Sequence, residues 1–128
     1  MQGRLLMYTS IGKLQYSEDQ LVLLVDPNLV RYFRSLIPKY IEHRAQANKP
    51  HITVVRGSGI EFPNKEKWGL HEGESVEFIY GPQIRFDFKY YTISVQSKGL
   101  EEIREELGLP KHRLGFKDFH ITIARAFF

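Results

Sequence analysis

A chain of 128 residues, 42% hydrophobic and 26% charged, is long enough to bury one core and too short for two independent ones. Its net charge of +3 leans toward anionic partners without the cationic density of a protein that coats nucleic acid, and the lack of cysteine excludes disulfides, thiolate metal sites and a cysteine nucleophile. The opening MQGRLLMYTS has too short an apolar run for a secretory signal and no later stretch approaches the roughly 18 apolar residues of a membrane span, so a cytoplasmic protein with no membrane contact is expected.

The segment GRLLMYTSIGKLQYS, from Gly3, predicts a strand, a turn around Ser10 to Gly12 and a second short strand, with DQLVLLVDP as a buried strand after them. Asp26 followed by Pro27 is a helix start: a side chain that caps free N–H groups, then a residue whose fixed φ suits the first helical position. Leu29, Phe33, Leu36, Ile37, Tyr40 and Ile41 continue with helical spacing. Pro38 interrupts that run, and because an interior proline loses a hydrogen bond and clashes with the preceding turn, a kink or two consecutive helices is expected. HITVVR, from His51, is a strand, and the glycine-rich and charged stretch 57–73 is a loop between two lobes.

In the second half, SVEFIYG, IRFDFKY and YTISVQS each read as strands. SKGLEEIREELGLP predicts a short helix with Leu100, Ile103 and Leu107 on one face, Gly108 as its stop and Pro110 beyond, and DFHITIARAFF closes the chain as a strand. Each half thus runs strands, helix and a strand bearing histidine, the outline of a duplicated lobe within a single domain 1–128.

HITVVR and HITIAR share His, Ile, Thr and Arg at matching positions. In a strand, residues two apart point to one face, so His51 pairs with Thr53 and His120 with Thr122, while Ile52 and Ile121 point the other way into a core. A lone H-x-T on a strand carries almost no information, because threonine favours strands and a single histidine is ordinary filler. Two copies that keep the polar face as well as the apolar one point to a function, since packing demands only the apolar face. Set side by side under twofold symmetry, two imidazoles and two hydroxyls suit attack at phosphorus: one histidine takes the proton of the nucleophile, the other protonates the leaving oxygen, and the threonines donate to nonbridging oxygens. Histidine suits both roles because its ordinary pKa of about 6.5 lets acid and base forms coexist near neutrality. No metal or other cofactor is called for.

HITVVR and HITIAR resemble the paired H-h-[ST]-h motifs of the 2H phosphoesterase superfamily, which includes the LigT-like RNA 2',3'-cyclic phosphodiesterases. The resemblance spans both motifs and the two-lobed element order. It implies a bilobal α+β fold, two pseudo-symmetric antiparallel sheets with flanking helices around a central groove, and metal-independent cleavage of a phosphodiester or cyclic phosphate in a nucleotide or RNA end. His51 and His120 would be the catalytic residues, with Thr53 and Thr122 binding phosphate. The chain's size and the interval between its histidines are also similar to the small phage-type 2H enzymes that degrade cyclic oligonucleotide signals of CBASS immunity. No obligate protein partner is implied.

The remaining polar residues carry less. Arg56 and Arg125 each follow a histidine at an odd offset, which in an unbroken strand faces away from the site; a bulge or strand end would be needed to turn them to a phosphate. Tyr8, Tyr16 and Trp68 could stack on a base or fill the core. His43, His71 and His112 have no spacing that suggests a metal cluster and read as solvated. Lys49 and Asp118 each stand two residues before a histidine; the cation would lower the pKa of His51 and the carboxylate raise that of His120, making His51 the base and His120 the acid. A histidine-triad nucleotide hydrolase is excluded, since its motif needs several alternating histidines on one strand. A noncatalytic RNA-binding α+β module would lead with exposed strand aromatics instead, and an inactive scaffold sits poorly with two intact H-x-T pairs.

Overall fold

The computed structural model describes residues 7–46, 49–57 and 59–126. Its first strand, β1 (Tyr8–Tyr16), runs straight through the turn that Ser10 to Gly12 suggest. Gly12 is there for close approach rather than for turning: a Cβ at this position would collide with the Leu24 carbonyl oxygen and lie 2.8 Å from Leu23 Cγ on the neighbouring strand. Residues 3–6 of that expectation lie outside the described residues.

Six further strands follow among the described residues: β2 (Leu21–Leu24), β3 (His43–Arg44), β4 (His51–Val55), β5 (Ser75–Asp87), β6 (Tyr90–Gln96) and β7 (Phe119–Ala126). Helix α1 (Pro27–Ser35) lies between β2 and β3, and α2 (Lys98–Glu106) between β6 and β7. Asp26 Oδ1 accepts the Asn28 N–H at 2.9 Å, the cap expected of Asp-Pro. The helix ends at Ser35 with Leu36 as its C-cap; no second helix follows Pro38, and Tyr40 is left 86% exposed. In α2 the Ser97 hydroxyl caps the Leu100 N–H, while Leu100, Ile103 and Leu107 are buried as their spacing requires. Gly108, at φ +84°, ends it in the left-handed conformation that a side chain would resist. The two strands expected in SVEFIYG and IRFDFKY are one strand, β5, with an irregularity between Tyr80 and Ile84.

The sheet order corrects the expectation of a bilobal α+β fold with two sheets around a groove. All pairings are antiparallel, and β7-β4-β2-β1-β5-β6 returns to β7, so six strands close into one barrel with two short helices; β3 adds a short pairing to the last residues of β7. The repeated element order is still visible inside the ring, as β1-β2-β4 and β5-β6-β7, each with its helix before the last strand. Separate lobes would leave strand edges with unpaired N–H and C=O groups. Here β1 pairs with β5 from Tyr8↔Tyr80 to Lys13↔Ser75, and β4 pairs with β7 at Ile52↔Ile121, which removes those edges.

One continuous row of the ring, Leu14, Leu23, Ile52, Ile121 and Ile93, is paired strand to strand and is at most 1% exposed. The alternate row, through Lys13, Leu24 and His51 on one side and Arg85, Thr92 and Thr122 on the other, points away from that core. A single charged side chain, Arg104, is fully buried among the described residues. Its guanidinium donates to Glu61 Oε2 at 2.6 Å, to the Val54 carbonyl at 2.7 Å and to the Pro110 carbonyl at 2.7 Å. It therefore fastens the 57–73 loop, β4 and the segment after α2 to one another. Among the described residues no helix is long and apolar enough to cross a membrane.

Candidate active site

The pair Ile52↔Ile121 sets the geometry. In that antiparallel register His51 falls opposite Thr122 and Thr53 opposite His120, all four half-buried on the face that the isoleucines leave. Directly opposed side chains stand about 5 Å apart at Cβ and diagonal ones about 7–8 Å, so the histidines lie on one diagonal of a small square and the threonines on the other. The two histidines are close enough for the charge of His51 to act on His120.

Both copies of the hexapeptide also carry a bulge. Leu21 pairs with Val55 and Val22 with Thr53, leaving Val54 as an extra residue on β4; Tyr91 pairs with Ala124 and Thr92 with Thr122, leaving Ile123 extra on β7. Val54 and Val55 are both buried, as are Ile123 and Ala124, so the alternation slips by one residue in each strand. Arg125, which an unbroken strand would turn away, consequently falls on the histidine face, whereas Arg56 lies just past the end of β4. Arg56 is exposed and close enough to Arg113 for their charges to interact. Arg125 is half-buried, opposite Arg44 of β3, and its Nε is buried with no hydrogen-bond partner.

The His51 ring is held by a 2.7 Å hydrogen bond from Nδ1–H to the Lys49 carbonyl, which leaves Nε2 as the nitrogen available for proton transfer. A hollow of about 170 Å³ between α1 and the sheet is lined by His51, Thr122 and Lys49 together with Arg31 and Arg34 of α1. A larger hollow, about 580 Å³, lies beside the start of α2 at Ser97, Lys98, Glu77 and Lys117, and none of the four motif residues lines it.

His120 sits in different surroundings. Phe116 stacks on its ring, with centroids 5.9 Å apart and planes at 17°, and the Arg113 guanidinium lies 4.5 Å over the other partner of that stack, the Phe116 ring. Burial lowers the His120 pKa from its ordinary value, and Arg113, Arg85 and His51 push the same way, while Asp118 alone pulls it up. The carboxylate expected to keep this imidazole protonated is present and is outweighed. Dehydration, reinforced by Arg113, Arg85 and His51, favours neutral His120, the opposite of the direction that Asp118 by itself suggests.

Of the three aromatics that could stack on a base or fill the core, two are tied into the fold away from the square and Tyr8 stays exposed. Tyr16 and Trp68 form an edge-to-face pair at 4.7 Å, and each is tied to backbone, Tyr16 Oη to the Leu70 carbonyl and Trp68 Nε1 to that of Ser17. Tyr8 packs beside Tyr80 along a cleft on the other flank of α1. The histidines read as solvated are half-buried and bonded: His43 to the Ile41 carbonyl, His71 to Glu74 and Glu106, and His112 to Glu101. No group of three or more metal-ligating side chains comes together among the described residues. Arg113, Phe116, Arg85, Arg31 and Arg34 are the site residues that sequence reasoning misses. The first two lie in the glycine-containing segment after α2, and the last two share one helix face, but nothing in either pattern ties them to the motif strands.

Comparison with protein-family models, with curated proteins and with solved structures finds no match to this chain.

Proposed function

We propose that the protein is a metal-independent phosphodiesterase that cleaves a phosphodiester or cyclic phosphate bond in a nucleotide or RNA substrate, using its two histidines as acid and base. The observation that carries this reading is the pairing Ile52↔Ile121, which puts two H-x-T motifs, distant in the chain, on neighbouring strands with their polar side chains on one face. Neutral His120 takes the proton of a water, or of a 2'-hydroxyl, as its oxygen bonds to phosphorus. The phosphorus–oxygen bond to the leaving group breaks, and protonated His51 delivers its Nε2 proton to that oxygen. Thr53 and Thr122 donate to the nonbridging oxygens as charge gathers there. One proton is taken and one given, so the site returns to balance when the histidines re-equilibrate with solvent. Stacking of Phe116 covers the face of the His120 ring, not the edge that bears its nitrogens. The lack of cysteine fits a reducing compartment, and we place the activity in the cytoplasm.

Chromatographic screening of 2',3'-cyclic nucleotides, cyclic dinucleotides, cyclic trinucleotides and short RNA ends tests the proposal. Turnover of at least one class, lost in both His51→Ala and His120→Ala, is the expected result; no turnover of any class, or turnover retained in either variant, would overturn it.

A further inference from the structure

The hollow beside His51 is cationic on its α1 wall. Pro27, Arg31 and Arg34 recur at the spacing of a single helix face, and Lys49 closes the side nearest the sheet. Arg31 donates from Nη1 to Asn28 Oδ1 at 2.7 Å, a contact that orients the guanidinium without neutralising it. Among the described residues no carboxylate lies within ion-pair distance of Arg31, Arg34 or Lys49, and none lines the hollow. Arg34 in the last turn complements the helix dipole. That role needs one cation near the helix end, however, and not three converging on a hollow that His51 and Thr122 also line. Three like charges held around about 170 Å³ repel one another until an anion enters.

We infer that Arg31, Arg34 and Lys49 form a second phosphate subsite next to the histidine square, so that the preferred substrate carries a phosphate adjoining the scissile one. The substrate is then an oligonucleotide or a nucleotide with a further phosphate, rather than a nucleoside bearing one cyclic phosphate. This deepens the phosphodiesterase reading and rests on it only for which phosphate is cleaved. Guanidinium forks suit the task, since each gives a phosphate two charge-assisted donors.

The test is equilibrium binding of three deoxynucleotide probes, TpT, pTpT and TpTpT, which lack the 2'-hydroxyl. The wild-type protein should bind the probes with a second phosphate about tenfold or more tightly than TpT, the effect of one charged hydrogen-bonded contact. A gain with pTpT alone identifies a terminal monoester, a gain with TpTpT alone an internal diester, and a gain with both any adjoining phosphate. The Arg31→Gln/Arg34→Gln variant, checked for folding by circular dichroism, should bring all three probes to within about twofold of one another. Lys49→Gln, a change at an exposed residue, should remove part of the preference and serves if the double variant fails to fold. Equal affinity for all probes in the wild type, or a preference unchanged by these substitutions, would overturn the subsite. If nothing is cleaved yet the arginine-dependent preference persists, the subsite stands and the proposed reaction falls; turnover without any such preference gives the reverse.

Discussion

Ile52 and Ile121 face one another across neighbouring antiparallel strands, each fully buried, and that contact holds His51 and His120 on one diagonal of a four-residue square. The polar face inherits its geometry from the apolar one: displacing either strand by a single residue would send its histidine inward and its isoleucine outward.

Within the square the histidines and threonines should differ in weight. Each histidine carries a proton transfer, usually worth about 10²–10⁴ in rate, so His51→Ala and His120→Ala are each expected to lower kcat by at least that much. Thr53→Ala and Thr122→Ala remove one donor to the phosphate apiece and should cost less, with kcat falling further than KM rises if the bond strengthens in the transition state. Steady-state kinetics on the four variants, each with its circular dichroism spectrum, measures this order. Threonine losses larger than histidine losses would contradict it.

The pH profile distinguishes the two roles. A neutral His120 acting as base makes the acid limb of kcat/KM its own, and its lowered pKa extends activity to lower pH than an ordinary histidine would allow. Arg113→Gln removes a cation that disfavours imidazolium, so the acid limb should move to higher pH; Asp118→Asn removes the opposing carboxylate and should move it lower. Movement of the alkaline limb instead would give His120 the acid's part.

The same shift carries a stability signature. Because His120 binds its proton less readily folded than unfolded, its contribution is intact above the unfolded pKa of about 6.5 and is lost as pH falls from there through the lower folded value. Chemical denaturation at a series of pH values should show that decline diminished in His120→Gln.

Glu61 and Arg104 provide a test of the scaffold. Removing one member of a buried ion pair leaves the other charge uncompensated, at a cost of about 3–5 kcal/mol, so Glu61→Ala should lower stability by that order. Activity should fall with it, because Arg104 also fastens the Pro110 carbonyl at the start of the segment that carries Arg113 and Phe116. Urea melts and kinetics of the same variant measure the two effects together.

Chelators are expected to leave turnover unchanged, since acid, base and phosphate donors are all side chains of this chain. Activity lost in EDTA and restored by one divalent ion would refute the two-histidine mechanism.

Features governed by neighbours in the chain can be read from the amino-acid order alone. The Asp26-Pro27 cap, the apolar face of Leu100, Ile103 and Leu107, and the shared face of His51 and Thr53 all follow from interactions or periodicities spanning at most a few residues. The ring is different in kind. Its closure depends on β1 meeting β5 and β4 meeting β7, pairings between segments far apart in the chain whose alternating patterns suit open lobes equally well. The bulges at Val54 and Ile123 exist only against the strands that they fail to match, so the facing of Arg125 has no local signature. His120 makes the same point electrostatically: Asp118 is near in sequence and pulls its pKa up, but burial, together with Arg113, Arg85 and His51, outweighs it. Local order fixes which chemical groups share a strand face, whereas long-range pairing sets their depth from water, and the free energy of a charge depends on that depth.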